Sequence, residues 1–122
     1  MEVLLGISDD EPSRRALRRT VDRAREAGDD LTVAVVDRPG VDRDPDEVFA
    51  AVRRRVEDPG LDAEVRRVEG DAGARLVEIA EREGFDRLVI GGGAESPMGK
   101  IELDELEQSV LLNSRISVTI VR

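Results

Sequence analysis

The chain has no cysteine and no histidine. Without cysteine, disulfides, thiolate catalysis and cysteine-ligated zinc are all excluded. Without histidine, the commonest general base and metal ligand is missing. Lysine is nearly absent too, since Lys100 is the only one among 19 basic residues. No apolar run approaches the roughly 18 residues of a membrane span. The first residues lack the basic and apolar regions of a secretory signal. The expectation is a cytoplasmic protein with no cofactor and no enzymatic activity. A hydrolase would have to use carboxylates, Ser8 or a metal, and no nucleophile and base are suitably spaced.

Charge is what the sequence has in excess. Charged residues make up 39% of the chain and the formal net charge is −9, against about 25% charged in ordinary domains. Such a surface repels nucleic acid and anionic membrane, so neither is expected as a partner. The acids read as solvated faces rather than as an acidic binding surface. Acid-rich, lysine-poor composition resembles that of proteins from salt-loving archaea. A length of 122 residues, with no linker, repeat or low-complexity segment, makes residues 1–122 one domain.

Strand and helix patterns alternate along the chain. Glu2–Ile7 is a short apolar strand, and residues 8–11 form the turn after it. Pro12 suits the first position of a helix, and residues 13–27 carry Ala16, Leu17, Thr20, Val21 and Ala24 as an apolar stripe that Gly28 ends. Residues 31–36 form the second strand. Pro45 starts a second helix with Val48, Phe49, Val52 and Val56 inward, ended by Pro59 and Gly60. Residues 62–69 make a third strand interrupted by Arg66 and Arg67, which suits a sheet edge. After Gly70 and Asp71 a third helix lines up Leu76, Val77, Ile79 and Ala80 before Gly84.

The last third organises the rest. Residues 87–93 run from apolar residues into Gly91, Gly92 and Gly93, as a buried strand entering a tight loop does. Residues 94–101 read as loop. Residues 102–113 read as a helix with Leu103, Leu106, Val110 and Leu111 on one face and acids in its first turn, where the macrodipole favours them. Residues 116–121 alternate as a terminal strand. The fold class predicted is α/β: one doubly wound, five-stranded parallel sheet, with four helices on its two faces. With strand order 3-2-1-4-5, ligands would bind beyond the C-terminal ends of the first and fourth strands, between residues 8–11 and 91–94. Asp9, Asp10, Glu95 and Asp104 are the acids that could gather a hard cation there, but no spacing motif supports a metal site.

These features resemble the universal stress protein family and an adenine nucleotide alpha hydrolase-like fold. The family's pattern near the C-terminus is Gly, two residues, Gly, nine residues, Gly, then Ser or Thr. The corresponding positions here are Gly91, Ala94, Asp104 and Glu105, so only the first glycine is kept. Residues 11–17 look like the family's first helix, residues 35–37 like the end of its second strand, and residues 69–71 like the turn before its third helix. The resemblance implies an adenine side formed by Ile7, Ser8, Val35 and Ile90, and a ribose and phosphate side formed by Gly91, Ala94, Asp104, Glu105 and Leu106. Ser8 stands where the family usually has Asp, and Asp104 and Glu105 replace its phosphate-binding Gly-Ser pair. A carboxylate about 5 Å from a phosphate charge costs about 3 kcal/mol at an effective dielectric near 20. A regulatory or stress-response module without ATP is therefore expected, the alternative being an ATP or AMP binder with an altered pocket.

Residues 9–12 also look like the start of a response-regulator receiver. Such a domain has an acceptor aspartate after an apolar third strand and a lysine after the fifth; here Glu69 follows Val68 and the chain ends at Arg122. A receiver-like or metal-dependent enzyme is thus the least favoured reading. The terminal strand, with Ile116, Val118 and Ile120 on one face, would lie at a sheet edge that must be covered. A homodimer through antiparallel pairing of two such strands is expected, as the family resemblance also implies, with an unknown protein client as a further partner.

Overall fold

The computed structural model describes residues 1–8, 10–36, 43–57, 61–92, 94–95, 98 and 101–122, with backbone only at 94–95 and 101–102. The expectations placed on Asp9, Asp37, Pro59, Gly60, Gly93 and the loop tip around Lys100 fall outside these residues.

Five parallel strands form the sheet: β1 (Glu2–Ile7), β2 (Asp30–Val36), β3 (Glu64–Val68), β4 (Arg87–Gly91) and, last in the chain, β7 (Ser117–Val121). Their order is β3-β2-β1-β4-β7, the predicted order of the five main strands. The central strands β1 and β2 are buried along nearly their whole length, as unbroken apolar runs require when both faces are covered. Helices α1 (Glu11–Ala27) and α2 (Pro45–Val56) cover one face. Helices α3 (Ala72–Arg82) and α4 (Glu105–Asn113) cover the other. Leu4, Leu5, Leu76, Leu88 and Ile90 are fully buried, each contributing about 1.5–3 kcal/mol by leaving water.

Four elements differ from the sequence expectation. Helix α1 begins at Glu11, one residue before the start expected at Pro12, because the Asp10 carboxylate caps it by accepting the Ser13 N–H. Residues 94–101 are not all loop: β5 (Ala94–Glu95) pairs antiparallel with β6 (Ile101–Glu102). Helix α4 consequently starts at Glu105 instead of Glu102, with Asp104 as its cap. Its buried face holds Val110 and, unexpectedly, Glu107, while Leu111 is 42% exposed. Leu103 and Leu106 are half-buried on the same face, and the cap draws the Glu107 side chain back beneath the first turn.

The arginines of β3 explain how an edge strand can carry charge on both faces. Successive side chains alternate across the sheet. Arg67 reaches Asp46 at the start of α2 on one face. Arg66, on the other, donates from Nη1 to Glu83 Oε2 at 2.6 Å and from Nε to Glu64 Oε1 at 2.8 Å. Glu83 closes α3, so Arg66 ties the edge strand to that helix. Its hydrogen bonds hold both Glu64 and Glu83 below the usual carboxylate range.

Folded-state values below the unfolded ones mean that this contribution is fully present above the unfolded glutamate pKa of about 4.3 and is lost as pH falls through the folded values. Urea unfolding of Arg66→Gln should therefore give a lower midpoint than the parent at neutral pH. The two should converge under acid, and the gap should narrow in molar KCl. A gap that does not change with pH would show that the arginine acts through packing alone.

Candidate functional site

Strand order reverses between β1 and β4, whose pairing runs up to Gly6 opposite Ile90. The segments leaving these two strands therefore flank one crevice at the C-terminal end of the sheet, where open parallel sheets bind ligands.

On the β1 side a small polar knot forms. Ser8 N–H donates to Ser13 Oγ at 2.9 Å, and Ser8 Oγ donates to Asp10 Oδ2 at 3.0 Å. The other oxygen of Asp10 accepts the Ser13 N–H at 2.8 Å. Ser8 and Ser13 are both buried, so the knot satisfies polar groups that would otherwise be costly to enclose. On the β4 side, Gly91 lies against the first turn of α1. A β-carbon at Gly91 would stand 2.4 Å from the Pro12 carbonyl oxygen. Only glycine lets this strand end approach the helix so closely. Gly92 N–H then donates to Val121 O at 3.0 Å, carrying the pairing with β7 one residue past the strand.

Gly92 has φ +155° and accommodates a side chain from elsewhere. The position of a β-carbon at Gly92 would be 1.6 Å from Glu107 Oε1. The Glu107 carboxylate therefore lies directly on the glycine backbone. It is fixed there by a reciprocal cap: Glu107 Oε2 accepts the Asp104 N–H at 3.0 Å, and Asp104 Oδ1 accepts the Glu107 N–H at 2.8 Å. The residue is 2% exposed. Behind it, Gly73 of α3 meets Ser109 of α4, which packs the two helices together beside the crevice.

The residues assigned to an adenine side are placed unevenly. Ile7 and Val35 are register partners on β1 and β2 and belong to the core beneath α1 and α2, with buried Ser8 next to Ile7. Ile90 belongs to the opposite core, beneath α3 and α4. The structure thus groups Ile7, Ser8 and Val35 and separates Ile90 from them. On the phosphate side, Gly91 is buried, Asp104 and Glu105 are exposed at the start of α4, and Leu106 packs half-buried against the α3–α4 core. Ala94 pairs with Glu102, its side chain lying outside the description.

A shared cation site for the acids meets a geometric objection. Asp10 and Asp104 cap different helices, each accepting a backbone N–H. Among the described residues no group of three or more acids is arranged to hold a metal ion. The sequence reading missed Asp10 as a cap and Glu107 as a buried residue. The signal for Glu107 was available as Asp-x-x-Glu over residues 104–107, a capping-box spacing.

Comparison with known proteins agrees with this fold. No curated protein matches the chain. The universal stress protein from Archaeoglobus fulgidus superposes with a TM-score of 0.78 at 20% identity, covering 100% of this chain and 98% of that one. Universal stress protein UspA from Lactobacillus plantarum gives 0.78 at 15% identity, over 100% and 97%. A universal stress protein family protein from Arabidopsis thaliana, with AMP bound, gives 0.70 at 14% identity, over 99% and 90%. The sequence model of the universal stress protein family matches residues 1–122, and the chain belongs to that family.

Proposed function

We propose that this chain is a stress-response module of its family that does not bind ATP and that acts through its protein surface. The observation that carries the reading is the Glu107 carboxylate, buried on Gly92 at the mouth of the crevice. Family resemblance would put the phosphates along the loop from Gly91 to Glu105. In this chain a carboxylate already lies on that backbone, and Asp104 and Glu105 replace the glycine and the hydroxyl donor. A phosphate brought close would lose donors and meet negative charge at once. Asp104 and Glu105 instead serve α4 as helix-start acids.

The same proposal has no catalytic role for the chain, a cytoplasmic location, and neither nucleic acid nor membrane as a partner. Its dimer would form along β7. That strand pairs with β4 on one side and has no further neighbour among the described strands. Val118 and Ile120 are half-buried against the α3–α4 core, and Ile116 precedes them on the same side. On α4, Leu112 is 82% exposed; the unpaired edge of β7 is what an antiparallel second copy would cover.

Three measurements check these statements. Calorimetric titration with ATP and AMP, with and without magnesium, is expected to give no binding in either molar or dilute KCl. Micromolar affinity would replace the proposal with a nucleotide-responsive switch, as the AMP carried by the Arabidopsis relative would then suggest. Glu107→Ala should lower stability to urea by about 1–3 kcal/mol through loss of the cap and of the buried contact; an unchanged midpoint would mean that the carboxylate does not hold the loop. Val118→Lys should turn dimers into monomers by light scattering, and an unchanged mass would exclude the β7 edge as the interface.

A further inference from the structure

Arginine is not spread evenly over the two helical layers. Helices α1 and α2 together carry nine arginines against five acids, whereas α3 and α4 carry two against four. In a chain of net charge −9, the α1–α2 layer is therefore the basic side. Three of its arginines line one groove of about 340 Å3 between the two helices. Arg14 and Arg18 come from α1 and Arg55 from α2, with Glu11 and the buried Leu17 completing the lining among the described residues. A volume of this size lies at the lower end of the roughly 300–1,000 Å3 typical of ligand sites.

These cations stand where a partner can reach them. Arg18 and Arg55 are exposed and Arg14 is half-buried. Arg14 and Arg18 are four residues apart, so they are neighbours on one side of α1, about 6 Å apart at their β-carbons. Arginine stems are apolar, so a groove lined in this way offers aliphatic wall as well as charge. Its one carboxylate, Glu11 Oε2, lies 3.6 Å from Arg14 Nη1, an exposed pair of a kind that is weak and easily exchanged. Among the described residues Arg18 makes no ion pair.

We infer that the groove between α1 and α2 is a docking site for an acidic segment of a partner protein, one that presents carboxylates at alternate positions of an extended chain. Guanidinium forks take carboxylates through paired hydrogen bonds. Alternate side chains of an extended segment point the same way about 6.8 Å apart, close to the spacing of Arg14 and Arg18, while Arg55 lines the groove from the other helix. Nucleic acid fits less well, because its regular charges would run beyond the groove onto a surface that is negative overall. A short acidic segment meets only the charge within one screening length, about 8 Å at physiological ionic strength. None of the residues assigned to the adenine or phosphate sides lines this groove. The inference gives a chemistry to the surface through which the chain is proposed to act, and rests on that reading. ATP binding at the crevice would leave peptide binding here untouched, so the two fail separately.

The test is a fluorescence-anisotropy titration of the full chain in dilute KCl with three rhodamine-labelled probes: a short peptide with glutamate at alternate positions, the same peptide with glutamine, and a DNA oligonucleotide. The glutamate peptide should bind with a dissociation constant of about 100 μM or tighter, and the other two probes about tenfold more weakly or less. Molar KCl should weaken the peptide by about tenfold. Arg18→Gln and Arg55→Gln should each weaken it by about threefold, and together by about tenfold. Arg54→Gln removes the same charge from α2 outside the groove and should leave binding unchanged. All three side chains are exposed, so each variant should keep the circular dichroism and urea midpoint of the parent. No binding of the glutamate peptide, or equal losses from Arg54→Gln and from the groove variants, would overturn the site. Tighter binding of the oligonucleotide would overturn it in favour of nucleic acid.

Discussion

Each of the four helices begins on an aspartate whose carboxylate accepts a backbone N–H from its own first turn: Asp10, Asp44, Asp71 and Asp104. In a parallel sheet with alternating helices the strands all run one way and the helices return the other. Every helix N-terminus therefore comes to the end of the sheet where the strands finish. The unpaired N–H groups and the positive pole of the dipole would ordinarily make that end attractive to anions. Here the chain supplies the anions itself, one per helix. The capping that stabilises each helix locally also sets the electrostatics of the crevice globally.

Glu107 extends the same logic by one step. At α4 the cap is reciprocal, so a second carboxylate is drawn in and lodges against Gly92. A glycine loop that leaves room for close approach is open to any group of suitable shape. In this chain the group that takes the room is covalently attached and already hydrogen-bonded. A competing ligand would have to displace a buried carboxylate and break a helix cap together, and the cost of the second event adds to that of the first.

The architecture was legible because it rests on repeating apolar patterns. Continuous runs at residues 2–7 and 31–36 marked central strands, and Arg66 and Arg67 marked an edge, where the structure places them in ion pairs with the helices on either side. What the sequence concealed depends on single polar side chains. Asp10 read as part of the turn after β1 and as a candidate cation ligand, and is the cap of α1. Leu111 matched the apolar stripe of α4 and is exposed, while Glu107, an acid, is buried on that helix. Ile90 was grouped with Ile7 through the family resemblance, and strand alternation sends its side chain to the other core. The β5–β6 ladder pairs only two residues on each side, too few for any periodic signal.

The distribution of arginine completes the picture. Several acids and bases on this surface neutralise one another at short range, as Glu78 does between Arg75 and Arg82. Exposed pairs of this kind contribute little to stability and less in salt. At the start of β4 one cation stands apart from these pairs: Arg87 Nη1 donates to Thr119 Oγ1 at 3.2 Å and so ties β4 to its neighbour β7, while its Nε is buried without an acceptor. The cross-strand bond and the enclosed N–H belong to the same guanidinium, so the gain from the first is set against the cost of the second.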